Sequence, residues 1–164
     1  YMAALGPASL MDVHAWSGLT RLREVTDRLG DRVRRYRNEA GRELLDVPDG
    51  PRPDPDTPAP VRFLPEYDNA LLSYADRSRF LPDRRGSFAQ VSTPIHGTVL
   101  HDGFLCGTWR LERMKRADTA VLAIDHVVRL PKRAASSVAA EGRRLLRFLT
   151  PDASTHDVRL VRVE

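Results

Sequence analysis

The sequence has a single cysteine, Cys106, which excludes an internal disulfide framework and any zinc or iron–sulfur site built from several cysteines. Its apolar runs are far shorter than the ~18 to 20 residues of a membrane-spanning helix. It shows no signal peptide, no P-loop and no dinucleotide-binding fingerprint. We therefore expect a cytoplasmic protein without membrane contact, metal or cofactor.

Lysine is scarce as well, because 24 of the 26 cations are arginine and only Lys115 and Lys132 are lysine. The planar guanidinium group of arginine suits phosphate, so this composition favours a nucleic-acid partner. GC-rich coding, which favours Arg, Ala, Asp and Pro together, is an equally open explanation. The net charge of +4 and the apolar fraction of 41 % over 164 residues indicate an ordinary globular protein of one or two domains.

Prolines are concentrated in one place, since six of the twelve lie in residues 48–60, which read PDGPRPDPDTPAP. Because proline lacks an amide hydrogen and has a fixed φ, such a run fits neither a helix nor the centre of a sheet. It is typical of an extended, semi-rigid linker. We therefore expect a first domain over residues 1–47, a linker over 48–60 and a second domain over 61–164.

The first domain is predicted to contain two helices. Ser9 is the expected N-cap of the first helix, with Asp12 completing a variant of the capping box, and Gly18 ends that helix. Thr20 is the expected cap of the second helix, which runs to about Leu29. The residues of the second helix that are expected to face inward are Leu22, Val25 and Leu29.

Two short strands over residues 32–38 and 42–47 are predicted to follow, which completes the plan of a winged helix-turn-helix. Its second helix would enter a DNA groove and its hairpin, the wing, would lie along phosphates. The candidate DNA-binding residues of this domain are Thr20, Arg21, Arg23, Arg28, Arg32, Arg34, Arg35 and Arg37. Glu24 and Asp27 share the face of the second helix, and Glu24 can pair with Arg28, so a structural or protein-binding role stays open.

The second domain is predicted to contain several strands and one late helix over residues 132–149. Its clearest turn is Asp102-Gly103, where both central residues need φ > 0. We therefore expect an α+β protein, a winged helix-turn-helix followed by a small β-barrel-like domain with a late covering helix. The late helix places Val138 and Leu146 on one arc, and its outward candidate DNA-binding residues are Arg143, Arg144 and Arg147, with Arg133 on the same arc. A solvated charged face is the alternative for these arginines.

Four segments resemble one bacterial family, the winged helix DNA-binding domain proteins that include the AlkZ/YcaQ-type DNA glycosylases. These segments are DVHAWSGLTRLREV, PDTPAPVRFLPEYDNALLSYADRSRF, DGFLCGTWRLER and LLRFLTPDASTHDVRL. The resemblance implies tandem winged helices and a C-terminal β-barrel, of which this chain would be the C-terminal portion. The start at Tyr1 instead of Met fits the same expectation. The resemblance also marks the stretch with Arg77 and Arg79, for which structural and DNA-facing roles are both open.

No catalytic residue is expected in this chain. The glycosylase branch of the family uses a Gln-x-Gln or Gln-x-Asp motif in its N-terminal portion, and Gln90, the only glutamine here, has no such partner. Cys106 lies between apolar neighbours and is expected to be a buried, inert thiol, and Trp16 and Trp109 are expected in the core. The histidines are scattered, so no metal site is expected, and no sequence feature indicates an oligomeric state.

Three functions follow from these features. The first is binding of duplex DNA, mainly through arginine–phosphate contacts and with little reading of bases. The second is the DNA-holding platform of a DNA glycosylase that removes alkylated bases in DNA repair, the enzymatic step lying outside this chain. The third is a structural or protein-interaction domain.

Overall fold

The computed structural model of the chain describes residues 1–81, 96–114, 118–126 and 128–163. The chain forms two compact units, one of Tyr1–Thr57 with Asn69–Arg77 and the other of Pro58–Asp68 with Ser78–Glu164. The first unit is mainly helical with one small hairpin, and the second contains a five-stranded sheet and a long helix. This mixture confirms the predicted α+β class.

The first unit begins with a short helix that was not predicted, and the start of its second helix was predicted from side chains. Its helices are α1 Met2–Leu5, α2 Leu10–Ser17, α3 Leu22–Leu29 and α4 Asn69–Leu72. The Ser9 amide donates to Asp12 Oδ2 at 2.8 Å and the Asp12 amide donates to Ser9 Oγ at 3.2 Å, which is the expected capping box of α2. Gly18 ends α2 with φ at 69°, as predicted.

The start of α3 differs from the prediction. Arg21, with φ at 55°, occupies the N-cap position and no side chain caps the helix, so the expected role of Thr20 is wrong. Val25 was expected to face inward but is 48 % exposed. The buried residue is Thr26, which can point inward because its hydroxyl donates to the Arg23 carbonyl at 3.0 Å.

The hairpin of the first unit consists of β1 Arg34–Arg37 and β2 Glu43–Asp46, paired antiparallel. It confirms the predicted pair of strands, although β1 is shorter than expected because residues Gly30–Arg32 form a 3₁₀ turn. Leu45 is fully buried and its backbone exchanges two hydrogen bonds with Ala8, of 2.7 and 2.9 Å. The hairpin is thereby fixed to the segment just before α2.

Residues 69–77 pack in the first unit, although the sequence analysis assigned them to the second domain. The amides of Ala75 and Asp76 donate to Asp12 Oδ1 at 2.9 and 3.3 Å. The Tyr74 hydroxyl donates to the Leu5 carbonyl at 2.7 Å. These bonds join residues more than 60 positions apart, which is why local patterns did not indicate them. The division into domains at residues 48–60 stays a prediction.

The elements of the second unit are β3 Arg62–Leu64, β4 Gly97–His101, β5 Phe104–Met114, β6 Thr119–His126, α5 Lys132–Leu149 and β7 Thr155–Arg162. Its strands form one sheet in the order β3-β4-β5-β6-β7. All neighbouring pairs are antiparallel except β6 with β7, which are parallel and are connected through the helix α5. Asp102 and Gly103 have φ of 53° and 76°, which confirms the predicted tight turn between β4 and β5.

The sheet is open and not closed into a barrel within the ranges that the structure describes, because β3 and β7 are its two edges. The helix α5 packs on β3, β6 and β7 and covers the face that a closed barrel would bury within itself. The late covering helix is therefore as predicted, whereas the barrel closure is not. The buried core between them includes Leu122, Ile124, Val138 and Leu146.

Gly142 shows how closely α5 approaches the sheet. A Cβ atom on Gly142 would lie 3.1 Å from Leu122 Cδ2, so glycine permits the close packing at this position.

Trp109 packs against the core of the second unit and its indole donates to the Leu64 carbonyl at 2.9 Å, as expected for a core tryptophan. Trp16 was also expected in the core but is 50 % exposed, with its ring 5.5 Å from that of Tyr1.

Candidate nucleic-acid interface

Two arginines of the first unit are held by acidic side chains between α3 and the hairpin. Arg35 donates to Asp27 at 2.7 Å and to Glu43 at 3.2 Å, and Arg23 lies 3.3 Å from the same Glu43. The hydrogen bond to Asp27 is the main cause that raises the pKa of Arg35 above its ordinary value. The charges of Arg23 and Arg35 are therefore compensated within the protein.

Other arginines of the same unit are exposed and uncompensated. Arg28 does not form an ion pair with Glu24, and its side chain, like that of Arg34, has no partner among the described residues. Arg37 donates only to the Gly41 carbonyl, at 3.1 Å. The remaining candidates of this unit, all exposed, are Thr20, Arg21 and Arg32. Alternation along β1 places Arg34 on the face opposite Arg35, whereas Arg37 shares the face of Arg35.

Sequence reasoning missed one arginine beside the hairpin. Arg52 lies over the Tyr36 ring, 5.9 Å from its centroid, and pairs at 3.3 Å with the buried carboxylate of Asp46. It stands in the proline-rich stretch that was interpreted as a linker. The sequence signal for it is weak, because it is the single arginine among residues 48–60 and no periodicity links it to the hairpin.

Arg77 and Arg79 lie in different units. Arg77 is half-buried at the end of the segment that packs in the first unit, whereas Arg79 is exposed in the 3₁₀ turn Ser78–Phe80 of the second. Both interact with other residues of the chain. The structure therefore gives Arg77 a structural environment and leaves Arg79 accessible.

The outward side of α5 carries a concentration of positive charge. Its members, here called the basic face of α5, are Arg133, Arg143, Arg144 and Arg147. All four are exposed, and Arg144 pairs with Glu141, the one acidic residue of the helix. The side chains of the other three have no partner within the residues described. Arg147 stands in the last turn, where a cation also interacts favourably with the helix dipole.

The opposite face of the sheet is electrostatically different. Arg110 hydrogen-bonds Asp125, which is the main cause that raises the pKa of Arg110 above its ordinary value. Arg110 also pairs with Glu112 at 3.1 Å, and Arg159 lies 3.7 Å from Glu112 and 3.5 Å from Asp157. Two cations meet three acids on this face. The charges of Arg110 and Arg159 are therefore compensated within the protein, in contrast to those of Arg133, Arg143 and Arg147 on α5.

The groups that could carry chemistry are unremarkable in the described part of the chain. Cys106 is buried as predicted, and burial raises the pKa of its thiol to about 11, which disfavours the nucleophilic thiolate. No group of three His, Cys, Asp or Glu side chains is placed to hold a metal among the residues described. No helix in those residues has the length and apolarity to cross a membrane. Gln90 lies outside the described residues.

Comparisons with known proteins give a consistent result. The family described as DNA glycosylase AlkZ-like has a model that matches residues 1–148. Among solved structures, the chain is similar to Streptomyces sahachiroi DNA glycosylase AlkZ, with a TM-score of 0.62 and 23 % sequence identity. The similarity covers 95 % of this chain and 42 % of the AlkZ chain, so the present chain spans less than half of that protein. No curated protein matches the sequence.

Proposed function

Since the chain belongs to the AlkZ-like DNA glycosylase family, we propose that it binds duplex DNA, mainly through contacts between arginine side chains and phosphates. The observation that carries this proposal is the distribution of its arginines. Exposed surfaces of α3, the hairpin and α5 carry several arginines that lack an acidic partner, whereas Arg110 and Arg159 on the far face of the sheet are paired with acids. Unpaired guanidinium groups are the ones available to phosphate.

In the first unit, we propose that α2, α3 and the hairpin act as a winged helix-turn-helix. The helices and hairpin occur in the order that this motif requires. The side chains best suited to contact DNA are those without acidic partners, which are Arg21, Arg28, Arg32, Arg34 and Arg37. Arg23 and Arg35 instead hold the hairpin against α3 through Asp27 and Glu43. DNA contact by these two would first require those ion pairs to break.

In the second unit, we propose that the basic face of α5 follows the phosphate backbone. The test compares two variants of the full chain that each lose two positive charges. Arg143→Ala with Arg147→Ala removes two unpaired cations, whereas Arg110→Ala with Arg159→Ala removes two paired ones from the opposite face. The first variant is expected to bind random-sequence duplex DNA more weakly and to lower the salt slope by about two. Equal affinities of the two variants would remove α5 from the proposal.

A second candidate function is the DNA-holding platform of a glycosylase that excises alkylated bases. The family match favours it, and the 42 % coverage of the AlkZ chain leaves room for a catalytic part elsewhere in a longer protein. Such an enzyme must gain access to the glycosidic bond of a damaged nucleotide. If a longer gene product lacks a Gln-x-Gln or Gln-x-Asp motif and releases no base from alkylated DNA, this candidate is excluded.

A third candidate, a structural or protein-binding domain, is supported by the mixed charge between α3 and the hairpin. Asp27 and Glu43 neutralise two arginines there, which weakens the attraction of this surface for a polyanion. Charge reversal of Arg34, Arg35 and Arg37 separates the candidates. A DNA affinity that does not change in this triple variant would favour the protein-binding role.

A further inference from the structure

Phe148 is the most exposed large apolar side chain among the described residues, with 81 % of its surface accessible. It lies in the last turn of α5, beyond the arc that packs on the sheet through Val138 and Leu146. An aromatic side chain contributes little to folding when it stays in water, because its stabilising effect comes from burial. Its place on the surface therefore suggests a contact with a partner.

The surroundings of Phe148 indicate the chemistry of that partner. Arg144 precedes it by four residues and is its neighbour on the helix surface, and Arg147 is the adjacent residue. An apolar protein surface that covered the ring would also desolvate the guanidinium group of Arg147, which has no acidic partner among the described residues, and the Arg144–Glu141 ion pair, and both effects are unfavourable. A nucleic acid satisfies both needs, because it offers phosphates to the arginines and the flat face of a base to the ring.

We propose that Phe148 stacks on an unpaired nucleobase, and that the end of α5 thereby favours DNA with unpaired bases over intact duplex. This inference rests on the proposed DNA binding. The bases of an intact duplex are already stacked on one another, so the ring can reach the face of a base only where pairing is lost, as in a bulge, a mismatch or a single strand. The arginines of the basic face of α5 supply the attraction to the adjacent phosphates.

The experiment measures binding of the full chain to three labelled DNA molecules by fluorescence anisotropy: an intact duplex, the same duplex with a central bulge, and the single strand. Phe148→Ala and Phe148→Leu both remove the ring, and the leucine variant keeps an apolar side chain. Both are expected to bind the bulged and single-stranded DNA about 5- to 100-fold more weakly, with little change for the duplex. Val161→Ala, at a position 49 % exposed on β7, is the matched control and is expected to change nothing.

Phe148→Trp supplies a readout that a structural role would not affect. It is expected to retain binding, and its added indole fluorescence is expected to be quenched by single-stranded DNA beyond any change seen with Trp16 and Trp109 alone. If the chain without substitutions binds DNA, and Phe148→Ala and Phe148→Leu bind all three molecules with the same affinity as that chain, the stacking role is wrong and the proposed DNA binding stands. If the chain without substitutions binds none of the three DNA molecules, the proposed function itself is wrong.

Discussion

At the scale of single residues, Asp12 connects the sequence pattern with the tertiary structure. Its carboxylate is 3 % exposed and accepts hydrogen bonds from the Ser9 amide and hydroxyl, at 2.8 and 2.7 Å, and from the amides of Ala75 and Asp76. It therefore caps α2 and also fixes a segment more than 60 residues away. The cap could be predicted from the spacing of Ser9 and Asp12, whereas the distant amides could not.

We expect Asp12→Ala to destabilise the first unit by about 2 kcal/mol, because it removes one half of the capping box and leaves the Ala75 and Asp76 amides without this acceptor. Urea denaturation followed by circular dichroism measures this loss. Asp31→Ala, which removes an exposed carboxylate from a 3₁₀ turn, is the control and should change stability by less than about 0.5 kcal/mol. Equal midpoints for the two variants would show that Asp12 does not hold the segment.

Cys106 gives a second test at this scale. Burial raises the pKa of its thiol to about 11, so the fraction of thiolate near pH 8 is far below that of an ordinary cysteine. We expect iodoacetamide to alkylate the folded protein slowly and the urea-unfolded protein rapidly at that pH. Because the folded state binds the thiol proton more tightly, stability should also fall as the pH rises from about 9 toward 11. Alkylation at the same rate in both states would contradict the buried environment.

At the scale of elements, the α3–hairpin pair shows that arginines of one strand can have different roles. Arg34 and Arg35 are adjacent in β1, yet Arg35 is held by Asp27 and Glu43 while Arg34 faces solvent. Alternation predicted that the two side chains lie on opposite faces. Which face meets acidic residues depends on how the hairpin packs against α3, and this is tertiary information that the strand pattern does not contain.

Two double variants separate these roles. Arg28→Ala with Arg34→Ala is expected to weaken duplex binding, since it removes cations without acidic partners, and to leave the thermal stability within a few degrees. Arg23→Ala with Arg35→Ala is expected to affect affinity less and to loosen the hairpin, because Asp27 and Glu43 lose their partners. Anisotropy titration and thermal denaturation measure both effects. The reverse ranking of affinities would assign the DNA contact to the α3-facing side of the hairpin.

The bounds of elements that neighbouring residues specify could be predicted from the sequence, whereas features that depend on residues far apart in the chain could not. The capping box before α2, the Asp102-Gly103 turn and the helix over residues 132–149 are each specified by neighbouring residues. The N-terminus of α3 was predicted wrongly, because the left-handed conformation of Arg21 has no local sequence signal. The open sheet follows from the packing of α5 on it, which periodicity does not specify.

At the scale of the whole molecule, the net charge of +4 does not show that uncompensated positive charge is distributed unevenly over the surface. On the far face of the sheet, Arg110 and Arg159 are neutralised by ion pairs, whereas α3, β1 and the basic face of α5 present arginines without acidic partners. Among these side chains are Arg28, Arg34, Arg133, Arg143 and Arg147. A sum over the sequence does not reveal this distribution, because it depends on which arginines the fold pairs with acids.

The central claim, that arginine–phosphate contacts hold duplex DNA, is tested most directly by a salt titration of binding to random-sequence duplex. If about five arginines contact phosphates, the logarithm of the association constant should fall linearly with the logarithm of salt concentration, with a slope of about −4 to −5. Affinity would then drop several-hundred-fold between about 50 and 200 mM salt. An affinity that changes by less than about twofold over the same range would contradict the account.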